Sequence, residues 1–189
     1  RMKDIIQNEF NEHIKTANLL HNLTDSLASS AKICIDCLNN GGKILLFGNG
    51  GSAADAQHIA AELVGRYKVF RSGLPAIALT TDSSVITSIA NDFGFKNIFD
   101  RQIQAFADKG DVVIGISTSG RSSNVISALK LASKLECKTI GFSGQDDGIL
   151  DEICDINLAV QSIDTPRIQE MHILIGHTIC HLIDQEFKS

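Results

Sequence analysis

Apolar residues recur through "KDIIQNEFNEHIKTANLLHNL" at Ile6, Phe10, Ile14, Ala17 and Leu20, the spacing of a helix face. A second helical segment runs from about Asp25 to Asn40 and meets Gly41-Gly42, a stop signal. From Lys43 the pattern changes. Short runs apolar at nearly every position appear at "KILLFG", "AIALT", "DVVIGIS", "KTIGFS" and "DINLAV". Helical stretches lie between them at residues 53–65, 83–92, 97–107, 123–136 and 147–153, and a last one spans 166–187. Strands without a polar face are buried on both sides, which implies parallel pairing with helices above and below. The expectation is one α/β domain over residues 1–189: two N-terminal helices (1–41) ahead of a three-layer αβα sandwich (43–189) with a five-stranded parallel sheet.

Neither leading helix follows a strand, so an amphipathic helix there is expected to pack on a partner subunit or cap the sheet edge. The last helix, "TPRIQEMHILIGHTICHLIDQEF", has Pro166 at an early helical position and an apolar stripe of Ile168, Met171, Ile175, Ile179 and Leu182, expected to be core.

Composition narrows the class. Apolar residues make up 43% of the chain, enough for a real core, and 17 basic against 22 acidic residues give a formal charge of −5. No Lys/Arg cluster suggests a nucleic-acid groove. No run approaches the roughly 18 apolar residues of a membrane helix, and the charged start has no signal-peptide core. Met2 is the expected natural start. Five scattered cysteines suit the reducing cytoplasm. Cys34 and Cys37 form a CxxC inside a helical segment with no second pair, so they are expected to be buried or half-buried free thiols.

Chemistry concentrates in two strand-to-helix loops. After the first strand comes "GNGGSAA", where glycines let backbone N–H groups approach a ligand at a helix start. Its spacing matches neither the nucleotide-triphosphate nor the dinucleotide loop, and a tight turn is the plain alternative. The third strand ends in "GISTSGRSSNV", crowding Ser117, Thr118, Ser119 and Ser122 at a helix N-terminus. One hydroxyl suffices for capping; four suit a phosphate monoester. On the helix after the glycine loop, His58 and Glu62 are i and i+4 and share a face, either as an exposed pair or as metal ligands. The last helix offers Gln169, His172, His177 and His181. Spacing does not choose between a His177/His181 metal pair, a Gln169/His177 combination across roughly 12 Å of helix rise, and plain interface histidines.

The segments "GNGGSAADAQHIAAELVGRY", "IANDFGF", "GISTSG" and "RIQEMHILIGH" occur in the order found in SIS (sugar isomerase) domain proteins. The whole chain, leading helices included, resembles the phosphoheptose isomerases among them. That resemblance implies isomerisation of sedoheptulose 7-phosphate to D-glycero-D-manno-heptose 7-phosphate, the first step toward heptose for surface polysaccharide, in a cytoplasmic homotetramer with sites at subunit interfaces. It implies substrate contacts at Asn49, Gly50, Gly51, Glu62, Asn91, Asp92, Ser117, Thr118, Ser119, Ser122 and Gln169. Zinc ligands fall on His58, Glu62, Gln169 and His177, and the catalytic pair on Glu62 and His177, with the last helix expected to reach the site across a subunit boundary. The same family holds a non-enzymatic tetramer that binds a replication initiator; it is distinguished by lacking the histidine matching His177 and by an arginine within its "STSG" segment. A phosphosugar-sensing regulator is a third expectation, but no DNA-binding segment accompanies it here.

Overall fold

The computed structural model describes residues 1–145 and 147–188. The chain runs α1 (Met2–Leu19), a 3₁₀ turn (Leu20–Leu23), α2 (Thr24–Asn39), β1 (Ile44–Gly48), α3 (Gly51–Val64), β2 (Ala76–Ala78), α4 (Ser83–Phe93), α5 (Asp100–Phe106), β3 (Val112–Ile116), α6 (Ser123–Lys134), β4 (Lys138–Ser143), α7 (Ile149–Ile153), β5 (Ile156–Ala159) and α8 (Thr165–Phe187). All five strands are parallel, in the order β2-β1-β3-β4-β5. The expected sandwich is therefore present. The fifth helical stretch, expected from residue 97, starts at Asp100 because Phe95–Asn97 forms a separate 3₁₀ turn.

Alternation within β1 explains why its every position is apolar. Ile44 and Leu46 enter the cluster beneath α2, α3 and α8, while Leu45 and Phe47 enter the one beneath α5 and α6. Both faces are dry, so no polar residue is tolerated in the middle of the strand. Cys34, Cys37 and Leu38 of α2 belong to the first cluster, which makes α2 part of the sandwich itself. Burial pushes the Cys34 thiol well up, with Cys37 and Cys180 adding to the shift, so it is an inert packing group as expected.

The apolar stripe of α1 is different: Ile6, Phe10 and Ile14 are 48%, 60% and 57% exposed, although α1 rests on α8. On α8 one expectation fails. Leu182 is exposed, and Ile183 takes the core position, since Ile179 plus four, not plus three, returns to the buried face here. Helices α3 and α8 approach closely because Gly176 has no side chain. A Cβ there would meet Ile59 at 2.5 Å.

The strand order reverses direction between β1 and β3. The segment after β1 leads to one face of the sheet, and the segment after β3 leads to the other. A crevice opens at the carboxyl ends of these two strands, the place where open α/β sheets bind ligands. Both loops singled out in the sequence lie there.

Candidate active site

The glycine loop and the serine loop are tied together by a reciprocal amide pair. Asn49 and the buried Asn124 exchange two hydrogen bonds of 2.9 Å, and Asn124 also accepts from the Val125 N–H. Asn49 is therefore held by the first turn of α6. Gly50 sits at the start of α3 with φ +57°, and Gly51 follows as the first helical residue. The Gln169 side chain lies directly over Gly51: a Cβ there would come within 2.5 Å of the Gln169 amide. Only glycine leaves that space.

In the serine loop, Ser117 is 3% exposed and acts as an internal strut. Its hydroxyl lies 2.8 Å from the Ser122 hydroxyl and 3.4 Å from that of Ser119, and it accepts the Ser122 N–H at 3.4 Å. Ser119 is exposed at the rim and accepts the Arg121 N–H at 3.2 Å. Thr118 is half-buried between them. Ser122 is the residue before α6, so the loop delivers its hydroxyls to a helix N-terminus as expected.

The third part of the site joins α3 to α8. His58 Nε2 lies 3.1 Å from Glu62 Oε1, and His177 Nε2 lies 3.3 Å from His58 Nε2. The donor atoms of His58, Glu62 and His177 all fall within 4.8 Å of one another. Two imidazole nitrogens and a carboxylate oxygen converging on one point form a donor set that fits a borderline divalent ion such as zinc. The last helix, expected to reach this pair across a subunit boundary, instead does so within the same chain, where α8 brings His177 to His58 and Glu62 of α3. Of the two histidines one turn apart on α8, His177 is the one that joins His58 and Glu62, while the His181 ring meets the Tyr67 ring at a centroid distance of 6.3 Å. His172 is fully buried, bonded through Nε2 to the Ser143 carbonyl oxygen at 2.8 Å, and belongs to the core.

Asn91 and Asp92 stand apart. They are exposed near the end of α4 and hydrogen-bond to each other at 2.8 Å, with no hydrogen bond to the histidine cluster or the serine loop among the described residues.

Three further residues shape the site without a sequence signature. The Tyr67 ring stacks on His177 with centroids 5.2 Å apart and planes at 20°, while His58 meets His177 edge-on. Asn124 locks the two loops. Asp55, one turn before His58, has a buried Oδ2 without a hydrogen-bond partner among the described residues, and burial pushes its carboxyl up to about 6 although His58 pulls the other way.

A sheet switch point opening between a glycine loop and a hydroxyl loop defines a phosphosugar-binding domain of the SIS class, and the SIS domain model matches residues 10–144. The chain is 60% identical to the phosphoheptose isomerase of Aliarcobacter butzleri over 99% of its length and 100% of the relative's. It is 54% identical to that of Helicobacter hepaticus, covering 98% of this chain and 94% of the relative. The solved phosphoheptose isomerase of Neisseria gonorrhoeae superimposes with a TM-score of 0.93 at 42% identity, over 98% of this chain and 100% of that one. The chain belongs to the phosphoheptose isomerase family of SIS domain proteins.

Proposed function

We propose that this isomerase interconverts sedoheptulose 7-phosphate and D-glycero-D-manno-heptose 7-phosphate, with Glu62 and His177 moving the protons. The observation that carries the reading is the meeting of His58, Glu62 and His177 within 4.8 Å. The glycine loop that opens α3, the helix of His58 and Glu62, is tied to α6 through Asn49–Asn124 and lies under Gln169 of α8, the helix of His177. The serines and the α6 N-terminus hold the terminal phosphate, and Asn49, Gly50, Gly51 and Gln169 hold the sugar nearer its reacting end. Binding the phosphate away from the reacting carbons orients C1 and C2 against the acid and base.

From the ketose, Glu62 takes a proton from C1 while His177 gives one to the C2 oxygen, leaving an enediol. Glu62 then returns its proton to C2, and His177 takes the proton of the C1 hydroxyl, which leaves the aldehyde at C1 and restores both groups. His58, Glu62, Gln169 and His177 would hold a zinc ion, which when bound supplies Lewis-acid polarisation of the substrate oxygens. By family resemblance the enzyme is a cytoplasmic homotetramer feeding heptose to surface polysaccharide, with Asn91 and Asp92 reaching substrate. The free cysteines and the exposed α1 stripe support the compartment and the assembly respectively.

Purified protein assayed with sedoheptulose 7-phosphate is expected to form the aldose. Glu62→Gln and His177→Ala are each expected to cut turnover by on the order of 10²–10⁴ with an unchanged circular-dichroism spectrum. A chelator arm tests the metal, since a carboxylate shared with a cation is a weaker base. Full activity in both variants would sink the acid/base assignment. No turnover of the wild type with or without chelator would return initiator binding to the front.

A further inference from the structure

Along the side of α6 facing α5 lies a cavity of about 460 Å³, within the usual size range of small-ligand sites. Its charge is out of keeping with the molecule. The chain carries a formal −5, yet Lys96, Arg121, Lys130 and Lys134 line this cavity against a single carboxylate, Asp100. That carboxylate is already engaged, accepting the Ser127 hydroxyl at 2.7 Å. Lys96, Lys130 and Lys134 make no ion pair or side-chain hydrogen bond among the described residues. Lys130 and Lys134 are also i and i+4 on α6, a mildly destabilising like-charge spacing that an anion between them would relieve. All four cations are exposed along an open groove, and together they give this face a local positive potential that attracts anions. The remaining wall includes Ile126 and Leu131, an aliphatic surface that a bare phosphate leaves wet.

We propose that this groove binds a multiply phosphorylated small molecule with a flat apolar part, a nucleoside diphosphate in chemical class, at a site separate from the sugar crevice. The four cations call for two or more negative charges, and the aliphatic wall calls for a base or similar ring beside them. Arg121 connects the groove to the crevice. Its side chain lines the groove and pairs with Asp147 at 2.7 Å, both partners being more than half exposed. Exposed pairs of that kind contribute little, so a diphosphate displaces Asp147 readily. The same residue's N–H is bonded to the Ser119 hydroxyl. Drawing Arg121 into the groove therefore shifts Ser119, and an occupied groove alters phosphosugar affinity. The coupling rests on the assignment of Ser119 to the substrate phosphate; the binding site does not.

Calorimetric titration of the wild type with ADP, pyrophosphate and adenosine tests both parts. Saturable ADP binding, weaker with pyrophosphate and absent with adenosine, is expected. It should weaken about tenfold or more in Lys130→Ala/Lys134→Ala, which removes two charged contacts, and persist in Ser119→Ala. Three results would overturn the site: no ADP binding to wild type, equal binding in the lysine variant, or loss of binding in Ser119→Ala alone. Pyrophosphate binding as tightly as ADP would overturn the nucleoside assignment. For the coupling, saturating ADP is expected to change the KM of the wild type for sedoheptulose 7-phosphate and leave that of the lysine variant unmoved. An unmoved wild-type KM with ADP demonstrably bound would overturn it, whereas a failed isomerase assay would leave the titration result standing.

Discussion

Ser117 and Ser119 carry the same hydroxyl but occupy different roles. Ser117 is buried and spends its hydrogen bonds inside the loop, whereas Ser119 stands at the rim with a free face. On the proposed assignment of Ser119 to the substrate phosphate, a part of the substrate that does not react, Ser119→Ala is expected to raise KM more than it lowers kcat. Steady-state kinetics decide this, and an equal fall in kcat at constant KM would contradict it. His172 makes a separate prediction about acid stability. Burial pushes its imidazole down to about 4, against the pull of the Ser143 carbonyl, while an unfolded histidine titrates near about 6.5. Between those values the unfolded chain takes up a proton that the folded chain refuses. The contribution is complete above about pH 6.5 and is lost as pH falls toward about 4, on the order of 3 kcal/mol in all. Urea unfolding of His172→Gln at pH 7, 6 and 5 is expected to lack that part of the slope. The sequence had set His172 among possible site histidines, and nothing in its spacing distinguishes it from His177; only the fold points one inward and the other at His58.

At the scale of elements, the segment between α3 and β2 is clamped onto α8 by one buried carboxylate. Asp184 accepts the Lys68 and Val69 N–H groups at 2.6 and 3.2 Å and the Arg71 Nε at 2.8 Å. Burial alone would push its carboxyl up, and these bonds together hold it below the usual range. Arg71 in turn donates to the Glu62 and Leu63 carbonyls, both at 2.9 Å. The clamp fixes the end of α3, which carries Glu62, and the segment that carries Tyr67. Asp184→Ala leaves a buried guanidinium unpaired and is expected to cost roughly 3–5 kcal/mol, read as a lowered melting temperature. Tyr67→Ala removes the ring that stacks on His177 and should lower kcat roughly 10- to 100-fold through misplacement of the imidazole; Tyr67→Phe keeps the stack and should restore it. A Phe variant as impaired as Ala would assign the effect to the hydroxyl. None of this was legible beforehand. Asp184 and Arg71 are ordinary charges in the sequence, 113 residues apart, and Tyr67 looks like one more residue past a helix end.

For the whole molecule, the open question of surface is α1. Ile6, Phe10 and Ile14 remain exposed after the chain has folded, beside Met2 and Ile5. A contiguous apolar helix face of this kind marks an interaction surface. If it is the assembly surface of a homotetramer, Phe10→Asp with Ile14→Asp should reduce the solution mass to a smaller species by light scattering, with the fold retained. A monomeric wild type would remove the tetramer from the picture.

The order of elements, the parallel sheet, the glycine and serine loops and the His58–Glu62 pair follow from the sequence alone, because each is a local matter: a period, a run of buried positions, a glycine or hydroxyl cluster, or two residues one turn apart. Local patterns carry no information about which distant residue meets them. That His177 completes the pair within the same chain, that Gln169 lies on Gly51, and that Asn124 locks the crevice depend on strand order and on the close approach of α3 and α8 at Gly176. Those contacts span more than a hundred residues or cross the sheet, and only the packed tertiary structure selects them.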